Sequence, residues 1–207
     1  MNKRDWSSTL TKMKSEKTED PIKVELAPHY PEVLLQRPLV KPLHGIAPRE
    51  IMGADWWETT RKQVYKDNGY HCLACGVHRS NAKYHKWMEA HEQYAVDYIN
   101  TKYTLTSIIS LCHCCHAFIH YQRTTAMLNC GNITQEKYDD IFAHGNSILA
   151  RSGLTKNYDL PEEHFPEKNG TWQNWYLEFN GSKYFSKFAN YQEWEDFYNM
   201  KNSELDK

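Results

Sequence analysis

The chain has no run of about 18 apolar residues, so no membrane span is expected. Its first residues, Met1-Asn2-Lys3-Arg4-Asp5-Trp6-Ser7, are partly basic but lack a following apolar segment, so no secretory leader is expected either. It has no surplus of positive charge: 25 Lys and Arg face 26 Asp and Glu, for a formal net charge of −1. A protein that grips nucleic acid by neutralising phosphates carries a basic excess, at least locally. The balance therefore leaves a local patch as the only route to such binding. No internal repeat is present. Together these absences point to the cytoplasm, where thiols stay reduced. Six cysteines in that compartment read as metal ligands before they read as disulfides.

Four stretches differ in composition. Residues 1–50 form a mobile, Pro-rich arm: the first 20 are polar and charged, and Pro21, Pro28, Pro31, Pro38, Pro42 and Pro48 follow. Such a segment cannot build long helices or central strands, and is expected to run extended over the surface. From Ala54 the pattern turns helical. Asp55 is the expected cap, Trp56, Trp57, Thr60, Val64 and Tyr65 form an apolar stripe, and Asn68-Gly69 ends the helix. Residues 51–125 hold the chemistry. Within them, 86–96 fits helix or strand, 104–111 fits a strand or a lead-in to the second cysteine pair, and Cys115 to about Arg123 reads as a helix. Residues 126–160 are helical, with Thr134 as N-cap and Gly153 as the stop. Residues 161–207 are rich in aromatics. Trp175–Phe179 and Ser182–Phe185 flank Asn180-Gly181, a strong hairpin signal, and Tyr191–Tyr198 reads as a helix. These rings, interleaved with Lys168, Lys183 and Lys187, could stack bases, but a small hairpin–helix module needs them for its own core.

Cys72-x-x-Cys75 and Cys112-x-x-Cys115 carry the strongest chemical signal. Each pair sets two sulfurs on one tight turn, and two pairs complete a tetrahedron around one zinc ion. Four thiolates leave no open position, so this ion is structural. Cys114 competes with its neighbours, but Cys112 and Cys115 keep the two-residue gap. Cys130 is expected to be a small buried side chain.

Polar residues crowd around the second pair: Glu89-Ala90-His91-Glu92, Asp97, His113, His116 and His120. On a helix, His116 and His120 stand one turn apart on one face, a spacing that lets two imidazoles share a metal. His71, His78 and His85 read as surface residues, and His113 as a solvated knuckle residue.

Residues 55–123 resemble the HNH nuclease family, with its zinc-braced ββα-metal core. The resemblance rests on a Trp-rich helix before Cys72-Leu-Ala-Cys75-Gly76, on Glu89-Ala-His91-Glu92, on Leu111-Cys112-His-Cys-Cys115-His116, and on His120. The pattern is similar to a bacterial and phage branch of that family. It implies a zinc-braced ββα core; with the Pro-rich arm before it and the helix and hairpin–helix module after it, both read from composition and turn signals, the expected fold class is α+β. The resemblance also implies that His91 is the general base and that His116 and His120 bind a second divalent ion (Mg²⁺, Mn²⁺ or Zn²⁺), with His91 as a further ligand. Two positions depart from the pattern. Ala90 stands where many members carry a metal ligand, and Ser107 stands where the central Asn is usual. Glu89, two residues from His91 on a strand, shares its face and is the better substitute carboxylate. Two functions follow: a metal-dependent endonuclease acting on DNA, or an inactive zinc module binding a protein or nucleic acid, such as a phage protein that targets a host factor.

Overall fold

Two long strands set the frame. In the computed structural model, which describes residues 29–165 and 171–205, β1 (Glu89–Asp97) and β2 (Lys102–Leu111) pair antiparallel. The β-branched residues of β2, among them Thr104, Thr106, Ile108 and Ile109, favour the pleated backbone and settle the ambiguity of both segments. The connecting turn is tied by Asp97, whose carboxylate accepts from the Asn100 backbone N–H and side-chain amide. The register pairs His91 with Ile109 and then slips between Gln93 and Tyr94, a bulge that leaves Thr106 unopposed.

The C-terminal hairpin continues the same sheet. β3 (Tyr176–Phe179) runs parallel to β2, and β4 (Ser182–Phe185) pairs back onto β3, giving the order β1-β2-β3-β4. Asn180 and Gly181 both adopt positive φ (50° and 72°), as a tight two-residue hairpin requires.

Among the described residues the helices are α1 (Pro48–Met52), α2 (Ala54–Asp67), α3 (His113–Ile119), α4 (Tyr121–Asn129), α5 (Gln135–Arg151) and α6 (Tyr191–Leu205). The fold class is α+β, as expected. Thr134 caps α5 through the Lys137 N–H. Two details differ from expectation. Gly53 (φ 85°), not Asp55, precedes α2; Asp55 lies in the first turn, where its charge faces the positive helix end. The helix expected from Cys115 starts at His113 and breaks at His120 (φ −83°, ψ 42°) before α4 begins.

The Pro-rich segment is not a surface arm where it is described; residues 1–28, with Pro21 and Pro28, lie outside the described residues, as does Lys168. Pro31–Leu35 and Lys41–Leu43 form 3₁₀ turns, each with a proline early in the turn, where a missing N–H is harmless. Val33 and Leu34 enter a core built with Tyr65, Leu111, Phe118, Ile141, Ile148 and Leu149. Val40, Leu43 and Ile46 enter a second core with Tyr103, Trp175, Leu177 and Phe179, so part of the aromatic tail is core as expected. Buried Lys156 fixes this path by donating to the carbonyls of Leu34 and Gln36.

Candidate metal centres

The first Cys pair sits in a turn stitched by Gly76 N–H to Cys72 O (2.8 Å) and held to the end of β2 by Leu73 N–H to Ser110 O (2.8 Å). Gly76 takes positive φ (74°), which the turn needs. Cys112 follows β2 at the N-cap position of α3, and Cys115 lies one turn along. The four sulfurs of Cys72, Cys75, Cys112 and Cys115 lie within 4.8 Å of one another. The Cys75–Cys112 separation of 3.8 Å equals the edge of a tetrahedron with about 2.3 Å metal–sulfur bonds. The cluster could hold a metal ion such as zinc, and Cys112 and Cys115 are the pair that closes it. Cys114 stays outside; burial first, then the nearby Cys112, pushes its thiol up to about 12. Cys130, expected to be buried, is exposed, because it caps the end of α4 beside Gly131.

One member of this centre has no local sequence signal. His144 on α5 places Nε2 3.4 Å from Cys115 Sγ and 4.0 Å from Cys112 Sγ. An N–H donated there offsets charge on the thiolates, the role that outer partners play at metal sites.

His91, His116 and His120 form a second group, with one nitrogen of each within 4.8 Å of the others. β1 presents His91, α3 presents His116, and the break after Ile119 turns His120 onto His91, with Nδ1 of the first 3.1 Å from Nε2 of the second. Glu89 shares the His91 face and accepts from His116 Nδ1–H, leaving His116 Nε2 its lone pair. A carboxylate behind a metal-facing imidazole is a common second-shell arrangement. Two neutral imidazoles, with His91 beside them, suit a borderline divalent ion.

Gln36, also without sequence signal, fixes His91. Its amide lies along β1, donating to Glu92 O (3.1 Å) and accepting from Tyr94 N–H (3.3 Å). That orientation aims its other N–H at His91 Nε2, 3.0 Å away. A neutral His91 then carries its proton on Nδ1, facing His120. Its entry into an ion's shell requires that amide to turn.

No protein-family model, curated protein or solved structure matches this chain.

The three histidines line a cavity of about 710 Å³ together with Arg37, Lys41, Arg49 and Arg123, against Glu50 and Glu92. The overall charge balance thus hides a local basic surface. Arg49 reaches the Glu92 carboxylate at 3.7 Å. Asp97 caps the β1–β2 turn, and Ser107 donates to the Gln93 side chain. His71 and His78 are half-buried against each other, with ring centroids 4.9 Å apart. His85 and His113 correct the expectation of solvated residues. Both are largely enclosed, at 12% and 21% side-chain exposure, and both contact Glu89. Although burial opposes ionisation, hydrogen bonds from His113 and His116 hold the Glu89 carboxyl well below its usual range.

Burial lowers the His91 and His120 imidazoles, and electrostatic coupling to neighbouring groups lowers them further: His120 and His116 for the first, His116 and Arg123 for the second. His120 falls to about 3. The unfolded chain takes up these protons below about pH 6.5 while the folded one refuses them. Stability is therefore full above that pH and falls as acid is added, by roughly 1.4 kcal/mol per pH unit for each histidine. Urea unfolding between pH 7 and 5 is expected to show a steeper loss in the native protein than in His120→Phe.

Proposed function

We propose that the protein is a metal-dependent phosphodiesterase of the HNH type, acting on DNA, with zinc in the cysteine cluster. The observation that carries this reading is the convergence of His91, His116 and His120 on the wall of a cavity lined by Arg37, Lys41, Arg49 and Arg123. His116 and His120 would hold a divalent ion there, and such an ion would supply polarisation of a phosphoryl oxygen and a lowered pKa of bound water. His116 and His120 supply the neutral imidazoles, and Glu89 orients the first of them. The arginines and the lysine neutralise phosphate charge and fix the backbone in the groove. The His91 Nδ1–H faces His120 Nε2 and would be released to hold an oxygen of the substrate or of water only once that nitrogen takes the ion.

The test is incubation with supercoiled plasmid and with single-stranded DNA in Mg²⁺, Mn²⁺ or Zn²⁺. Nicking is expected, falling by at least about 100-fold in His120→Ala and by about 10–100-fold in Glu89→Gln. Absence of cleavage with all three ions sinks the reading.

One observation favours the alternative, a non-catalytic zinc module that binds a host protein or nucleic acid. Both His91 nitrogens are committed inside the protein, to Gln36 and to His120, and neither offers a lone pair to water. Under that reading Gln36→Ala leaves DNA uncut, whereas under the first it changes the cleavage rate.

A further inference from the structure

We infer that His85, Glu89 and His113 form a further divalent-metal site, distinct from the cysteine cluster and from the His91–His116–His120 group. The three residues come from separate places: the loop before β1, the first position of β1 and the first position of α3. Their ligand atoms lie within 4.8 Å of one another. His85 Nε2 stands 2.9 Å and His113 Nδ1 2.8 Å from the same oxygen, Glu89 Oε1.

The contacts of His85 favour a positive charge between these atoms. Its Nδ1 lies 3.2 Å from the Trp87 carbonyl, a contact only an N–H can make. A neutral His85 therefore turns the Nε2 lone pair toward a carboxylate oxygen, and two lone pairs at that distance repel. A cation relieves this, either a bound proton or a metal ion that also takes His113.

The surroundings favour the metal. The His85 ring is stacked flat on Trp87, with centroids 3.8 Å apart and planes 3° from parallel, so its direction is fixed beforehand. Glu89 is anchored through its other oxygen to His116, independently of any ion. The three side chains are largely enclosed, at 12%, 23% and 21% exposure, so water that completes the shell enters only past their exposed edges. Two imidazoles and a carboxylate with open positions suit Zn²⁺ or Co²⁺ rather than Ca²⁺ or Mg²⁺.

The experiment loads the full-length protein with Co²⁺ and measures metal per chain by mass spectrometry together with the visible spectrum. The variants are His85→Ala, His85→Ala/His113→Ala and His120→Ala. The expected result is the loss of one equivalent, and of weak ligand-field bands, in both His85 variants. The intense thiolate-to-cobalt band is retained, which shows that the fold and the cysteine site persist. His120→Ala is expected to keep this equivalent. Unchanged metal content and spectrum in the His85 variants overturn the proposal, because then only a proton sits beside Glu89. Loss of the same equivalent in His120→Ala also overturns it, because the ion then belongs to the other histidines. Should the substitution at His113, next to Cys112, disturb the thiolate band, His85→Ala alone decides. None of these readouts depends on DNA cleavage.

Discussion

Cys72→Ser is expected to leave the chain without a cooperative unfolding transition at 37 °C and without the metal of its cysteine cluster. The Cys72 side chain is 1% exposed and lies in the same core as Tyr65, Ala74, Leu111 and Phe118. The loop that carries it packs Leu73, Ala74 and Val77 on that core and is held by backbone hydrogen bonds, among them Cys72 N–H to Val77 O and Leu73 N–H to Ser110 O. With zinc as the ion, binding in such sites is worth about 10–16 kcal/mol, which rivals the about 5–15 kcal/mol total stability of a domain. A serine hydroxyl stays protonated at neutral pH, so three thiolates remain, with an uncompensated polar group buried among them. Circular dichroism during heating, paired with metal analysis, checks this. Cys130→Ser is the control, since Cys130 is exposed, and should stay within about 0.5 kcal/mol of the native protein. A Cys72→Ser protein that melts near the native temperature would show that the cluster braces nothing.

The parts of this architecture that were legible in the sequence are those whose causes are local. Two Cys-x-x-Cys turns, the Asn180-Gly181 hairpin, and the helix between Thr134 and Gly153 each carry their geometry within a few residues. Strand alternation alone puts Glu89 on the His91 face, and in the fold its carboxylate meets His116. What the sequence hid depends on contacts across long separations. Gln36 reaches His91 from 55 residues away, and His144 reaches Cys115 from 29 residues away. Neither residue has a motif, because its position is set by tertiary packing: Lys156 holding the Pro-rich segment, and α5 lying on α3. The same packing drew Leu34 and Leu43 inside, where proline content alone suggested a surface path. His85 read as solvated because its environment is created by Trp87 and by Glu89 folding back onto it.

Packing between α3 and α5 gives the other large effect, at Gly145. A Cβ at this position would stand 2.3 Å from Cγ and Cδ2 of Phe118 and 2.6 Å from Cδ1, far inside van der Waals contact. Phe118 has nowhere to go: it is fully buried, Phe142 stands at 5.7 Å edge-on, and Lys156 lies over its ring at 5.1 Å. Alanine in a helix interior is favoured over glycine by about 1 kcal/mol, and overpacking of this severity costs about 3 kcal/mol or more, so the clash wins. The net loss of about 2 kcal/mol is therefore expected to lower the melting temperature of Gly145→Ala by roughly 4–8 °C, at about 2–4 °C per kcal/mol for a chain of this size. The displacement also carries the neighbouring His144 away from the Cys115 sulfur, so the variant should release its metal to a chelator faster than the native protein. Gly145→Ala/Phe118→Leu, which removes the ring the new methyl strikes, should recover part of the loss relative to Phe118→Leu alone. If Gly145→Ala is as stable as the native protein, α5 does not lie on α3 in this register, and His144 loses its place beside the cysteines with it.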